Sequence, residues 1–140
     1  MFISHRGNLN GPNKDVENHP DYLIETLQQG YNVETDVWYL KGNYYLGHDL
    51  PQYKIQIDFL LQRKLWLHCK NNAAFINLLE AKTNCFFHES ELVVLTGHGY
   101  KWYHSDSINM NIEYDSKSVV AIPNQQYNIK DINICSDYLL

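Results

Sequence analysis

The sequence predicts an α/β fold with a parallel sheet, abridged so that helices are largely missing from its second half. Strand-like and helix-like stretches alternate as far as Lys82, the pattern of parallel strands joined by helical crossovers. Beyond that point helical periodicity stops and only strand-like stretches follow. The chain's 140 residues suffice for one domain, residues 1–140, with one core. The second half is too short for full strand–helix units.

Phe2–His5 reads as a first strand, and the Gly- and Asn-rich residues 6–13 as a loop. Pro20 suits the first turn of a helix whose stripe is Tyr22, Leu23 and Leu27 and whose stop is Gly30. Residues 32–39 form a strand with Val33, Thr35, Val37 and Tyr39 on one face and Glu34, Asp36 and Trp38 on the other. Lys41-Gly42-Asn43 is a turn, and residues 44–47 are a short strand ending at His48-Asp49. A helix is expected over 57–62. A strand over 65–70 carries Trp66, His68 and Lys70 on one face. Asn71 can cap a helix bearing Phe75, Leu78 and Leu79. Residues 85–88 read as a strand, and 92–96 with 100–104 as a hairpin about Gly97-His98-Gly99. Residues 119–122 and 132–136 supply two more strands.

Composition narrows the function. At 44% hydrophobic and 14% aromatic residues the chain is globular, not disordered. The net charge is −5 and only Arg6 and Arg63 are arginines, so there is no clustered basic surface for nucleic acid. Cys69, Cys85 and Cys135 are scattered without a CxxC pair, which indicates neither a disulfide framework nor a zinc knuckle. No basic leader or long apolar run is evident, so no membrane span is expected and a cytoplasmic location is.

The chemistry-bearing residues gather at strand ends. His5 closes the first strand, Glu34 and Asp36 share a face of the next, His48 follows the short strand, and His68 and Lys70 share a face of another. In parallel α/β folds ligands sit at the C-terminal strand ends. Two carboxylates inside a strand are costly unless paired, and a hard divalent cation would satisfy both.

In order, the chain reads Ile3-Ser4-His5-Arg6-Gly7, Glu17-Asn18, Val33-Glu34-Thr35-Asp36-Val37 and Leu46-Gly47-His48-Asp49. This series resembles the signature of the glycerophosphodiester phosphodiesterase family, within the phospholipase-C-like phosphodiesterases. The resemblance covers the first 49 residues and thins after Lys70, with a faint echo in Ile134-Cys135-Ser136-Asp137. It implies a TIM-like barrel, here shortened, that hydrolyses a small-molecule phosphodiester with a divalent metal. It further implies His5 and His48 as acid and base, Glu34 and Asp36 as metal ligands, and Arg6 and Lys70 as phosphate contacts. Two imidazoles suit proton transfer near neutrality, and a cation with Arg and Lys suits phosphoryl charge.

One position departs from the family pattern. Leu67-His68-Cys69-Lys70 puts His68 where a third acidic ligand is usual, so His68 becomes the third candidate ligand. A mixed oxygen–nitrogen site leads to Mg²⁺ or Mn²⁺ as the expected ion, with Ca²⁺ as a further option. Two other functions stay open: a catalytically weak module binding a phosphorylated glycan or lipid head group, and a lyase stopping at a cyclic phosphate. Glu17-Asn18 reads as a loop-ordering or capping element, and Gly97-His98-Gly99 as a hairpin turn. His19, His88 and His104 receive no role.

Overall fold

The computed structural model describes residues 1–124 and 132–140. In chain order the elements are β1 (Phe2–His5), α1 (Pro20–Gln28), β2 (Asn32–Leu40), β3 (Asn43–Leu46), β4 (Tyr53–Ile55), α2 (Ile57–Leu60), β5 (Leu65–Cys69), α3 (Asn72–Glu80), β6 (Cys85–Phe87), β7 (Val93–Leu95), β8 (Lys101–Tyr103), a 3₁₀ turn (Ser105–Asn109), β9 (Ser118–Ala121) and β10 (Asn133–Ser136). His19 caps α1 by accepting from the Asp21 N–H, and Asn71 caps α3 by accepting from the Ala74 N–H.

Among the described residues the strands join in one ten-stranded sheet ordered β4-β3-β2-β1-β10-β9-β8-β7, with β5 paired to β2 and β6 to β5. Pairings among β5, β2, β1, β10, β9 and β8 are parallel, as is β5 with β6, whereas β3, β4 and β7 run antiparallel to their neighbours. This overturns the expected α/β TIM-like barrel. Among the described residues strand predominates over helix: a mixed sheet curls into a half-barrel, with three short α-helices of nine, four and nine residues. The physical reason is connection length. A parallel crossover takes about a dozen residues or more. Residues 88–92 and 96–100 are too few for one, so β7 folds back on β8 as a hairpin.

Side-chain alternation divides the core. On the outer face Val33, Val37, Leu67 and Cys85 pack with Leu23 of α1 and Leu78 of α3. Inside the curl Ile3, Trp66, Phe86, Trp102, Val119 and Cys135 pack together. Tyr103, Val120, Ile122 and Ile134 form a third cluster, covered by Ile108, Ile112 and Tyr114 in place of a helix.

The length of β2 decides where the site lies. Its first residues pair with β1, through Ile3↔Asn32 and His5↔Glu34. Its last four run on past β1 and pair with β3, from Val37↔Leu46 to Leu40↔Asn43. The hairpin therefore returns Gly47-His48 to the strand ends. Gly47 donates its N–H to the Asp36 carbonyl at 3.1 Å, and its own carbonyl accepts from the Trp38 indole at 2.7 Å. Gly47 has φ 145°, and a Cβ there would lie 2.1 Å from the Leu50 carbonyl oxygen, so only glycine fits. Among the described residues no helix is long and apolar enough to cross a membrane.

Candidate functional site

The strand ends surround a cavity of about 360 Å³, lined by His5, Arg6, Glu34, His48, His68 and Lys70 among others. Six of the seven residues singled out from the sequence thus line one cavity. The seventh, Asp36, lies immediately behind it, fully buried. Phe87 and Trp102 are among the lining residues, and the buried Phe86 ring stacks on Trp102 at 4.4 Å and on His68 at 5.1 Å.

Glu34 and Asp36 point into the half-barrel from β2 at 2% and 0% exposure. Placing two like charges there is expensive, several kcal/mol per ion, unless they are compensated. Asp36 is the better supported of the two. Its Oδ2 accepts from the Asn18 amide at 2.9 Å and lies 3.1 Å from Arg6 Nε, and its backbone N–H donates to Asn18 Oδ1. Burial would raise its pKa, but His68, Arg6 and Asn18 overcome that and hold it well below the carboxylate range. Glu34 goes the other way: burial, then the charge of Asp36, pushes it up. Two oxygens, Glu34 Oε2 and Asp36 Oδ1, are buried without a hydrogen-bond partner among the described residues.

His68 completes the group from β5, where it pairs with Asp36 across the sheet. Its Nε2–H donates to the His88 carbonyl at 2.8 Å. In the neutral ring this leaves a lone pair on Nδ1, which faces Asp36 Oδ1 at 3.1 Å and Glu34 Oε1 at 3.7 Å. A lone pair set against two carboxylates is repulsive unless a proton or a cation stands between them. Burial lowers the His68 pKa, but Asp36 and Glu34 together outweigh it, so the net shift is upward. Ligand atoms of Glu34, Asp36 and His68 all lie within 4.8 Å of one another. The orphaned Glu34 Oε2, an Nδ1 aimed at two carboxylates and a backbone carbonyl setting the tautomer together fit a divalent cation.

His5 stands at the neighbouring strand end, held by residues that sequence reasoning missed. Its Nδ1 is 2.9 Å from Asp137 Oδ1, just after β10, and its Nε2 is 3.9 Å from Glu34 Oε2. Asn8 donates to the same Asp137 oxygen at 2.8 Å. Burial lowers the His5 pKa, but the Asp137 hydrogen bond and Glu34 outweigh it and the net shift is upward. Asp137 follows the last strand directly, and His5 closes the first, and that position was the available signal. His48 lines the same cavity, with its Nδ1 2.8 Å from Asp49 Oδ1 and a side chain 40% exposed.

Arg6 sits in a left-handed turn, φ 56°, where its N–H donates to the Glu34 carbonyl. Its guanidinium is held by Glu17 at 3.1 Å as well as by Asp36. Glu17 and Asn18, read from sequence as ordering elements, therefore order Arg6 and Asp36. Lys70 borders the cavity beyond β5, its N–H donating to the Val37 carbonyl. His88 and His104, given no role from sequence, also line the cavity, so it holds five of the chain's seven histidines.

No protein-family model matches this chain, and neither a curated protein nor a solved structure matches it.

Proposed function

We propose that the protein is a metal-dependent phosphodiesterase acting on a small diester of the glycerophosphodiester kind. The observation that carries this reading is the buried Glu34–Asp36–His68 group, with Glu34 Oε2 left without a hydrogen bond, beside His5 in a polar cavity. A bound divalent cation would supply charge neutralisation to the phosphoryl oxygens. Mg²⁺ or Mn²⁺ suits two carboxylates and one imidazole, and Ca²⁺ suits them less because it favours all-oxygen sites.

The side chains then divide the work. One imidazole takes a proton from the attacking hydroxyl, which belongs to water or to a neighbouring substrate alcohol. The other gives a proton to the departing alkoxide. His5, oriented through Nδ1 by Asp137, and His48, at the open side of the cavity, take these two roles. Lys70 contacts the phosphate. Arg6 does so while also bracing Asp36 and Glu17, which limits how far it can reach.

That double engagement favours keeping a second reading, a phosphodiester-binding module with little turnover. The test is a metal-supplemented assay of glycerophosphodiesters and bis(p-nitrophenyl) phosphate, with product analysis. Metal-dependent release of the alcohol, lost in His5→Ala, supports hydrolysis. A cyclic phosphate end product makes it a lyase. Metal-dependent binding without turnover gives the binding module, and neither binding nor turnover defeats the proposal.

A further inference from the structure

The cavity has a wall that the proposed chemistry does not use. His88 follows β6 and His104 follows β8, and their rings lie 5.8 Å apart, 22° from parallel. Backbone bonds set both tautomers. His88 Nε2–H donates to the Glu91 carbonyl at 2.8 Å, which leaves Nδ1 as an acceptor. His104 Nδ1 accepts from the Asp106 N–H at 3.2 Å, which leaves Nε2–H as a donor. The two adjacent rings, which line the cavity together with Ser105 and Glu89, thus carry one uncommitted acceptor and one uncommitted donor.

We propose that this wall is a hydroxyl-recognising subsite that takes a neutral polyol or sugar-like portion of the substrate. A hydroxyl both donates and accepts, so adjoining hydroxyls match one free acceptor and one free donor. Other ligands fit less well. A second anion would meet one lone pair and the Glu89 carboxylate. A second metal would find one free lone pair, and the described residues hold a single metal-capable cluster. A quaternary ammonium needs open ring faces, but Trp102, the tryptophan lining the cavity, is only 4% exposed. The inference rests on the phosphodiesterase reading for the neighbouring phosphate but not for the polyol contact itself.

The test compares two substrates in the full chain, glycerophosphoglycerol and the hydroxyl-free bis(p-nitrophenyl) phosphate. The variants are His104→Phe, which keeps a ring, and His88→Gln, which keeps a donor for the Glu91 carbonyl. Each should lower kcat/KM for glycerophosphoglycerol by about three- to tenfold, the value of one neutral hydrogen bond, and leave the other substrate within about twofold. Equal losses on both substrates, or none on either, overturn the subsite. If the wild type turns over neither substrate, the phosphodiesterase reading fails and a titration decides this one. Glycerophosphoglycerol, but not dimethyl phosphate, should then shift the histidine ring NMR signals that disappear in His88→Gln and His104→Phe. No such shift overturns the proposal.

Discussion

Two carboxylates two positions apart on the same strand face meet opposite fates. Glu34 has its pKa raised, so its ionised form works against the fold at neutral pH. Asp36 has its pKa lowered, so its ionised form stabilises the fold, a contribution present above its unfolded pKa and lost as pH falls through the folded value. With metal chelated, Glu34→Gln should therefore raise stability, by about 1–2 kcal/mol, and Asp36→Asn should lower it by about 3–5 kcal/mol as Arg6 and His68 lose their partner. Denaturant melts in a chelator check both signs, and both variants should lose the added stability that metal confers. His68 yields a second residue-scale prediction. In His68→Glu the preference should move toward Mg²⁺ and Ca²⁺ relative to Mn²⁺, because a hard oxygen replaces an imidazole. Metal titrations read this, and an unchanged ranking removes His68 from the ligands.

Elements bring these residues to one place by their lengths and turns. The extra residues of β2 let β3 pair beyond β1, and Gly47 turns the chain so that His48 returns to the cavity. Gly47→Ala sets a Cβ against the Leu50 carbonyl in a backbone conformation that side chains avoid. It should cost about 1–3 kcal/mol of stability and more than tenfold in kcat, by displacing His48, with metal affinity retained. Thermal melts, kinetics and metal titration separate those effects. At the junction of β10 with β1, Asp137→Asn removes the partner that orients His5. Losing such an orienting carboxylate typically costs a hundredfold or more in turnover (roughly), and metal binding should again be spared. A variant with wild-type kcat would make Asp137 merely structural.

At the scale of the molecule the half-barrel is a scaffold that points strand ends from distant parts of the sequence into one cavity. His5 and His48 reach it from β1 and from the β3 hairpin. If they act as one acid–base pair, His5→Ala and His48→Ala should each lower kcat by about two to four orders of magnitude. The double mutant should cost far less than the product of the two losses. Multiplicative losses with unchanged melts would show that the two histidines act independently.

Most of the candidate site was legible in the residues themselves. Carboxylates alternating inward from a Val-flanked strand, and imidazoles at strand ends, are local patterns, because side-chain direction in a strand follows from its period of two. The strands of the first half were legible for the same reason, although the short β4 gave no pattern long enough to read. The sheet's closure was not. Whether β6 passes to a helix or to a hairpin depends on which strand it must reach, a long-range matter, and the result was a mixed half-barrel rather than an α/β barrel. Pairings across the chain were hidden too. Asp137 meets His5, and Asn18 meets Asp36, only because β10 lies beside β1 and the loop before α1 folds over β2. By itself the sequence determined which residues face inward and where strands end, because those follow from local stereochemistry. Only the tertiary structure decided which strand ends became neighbours, because sheet order minimises the free energy of the whole chain and no local segment encodes it.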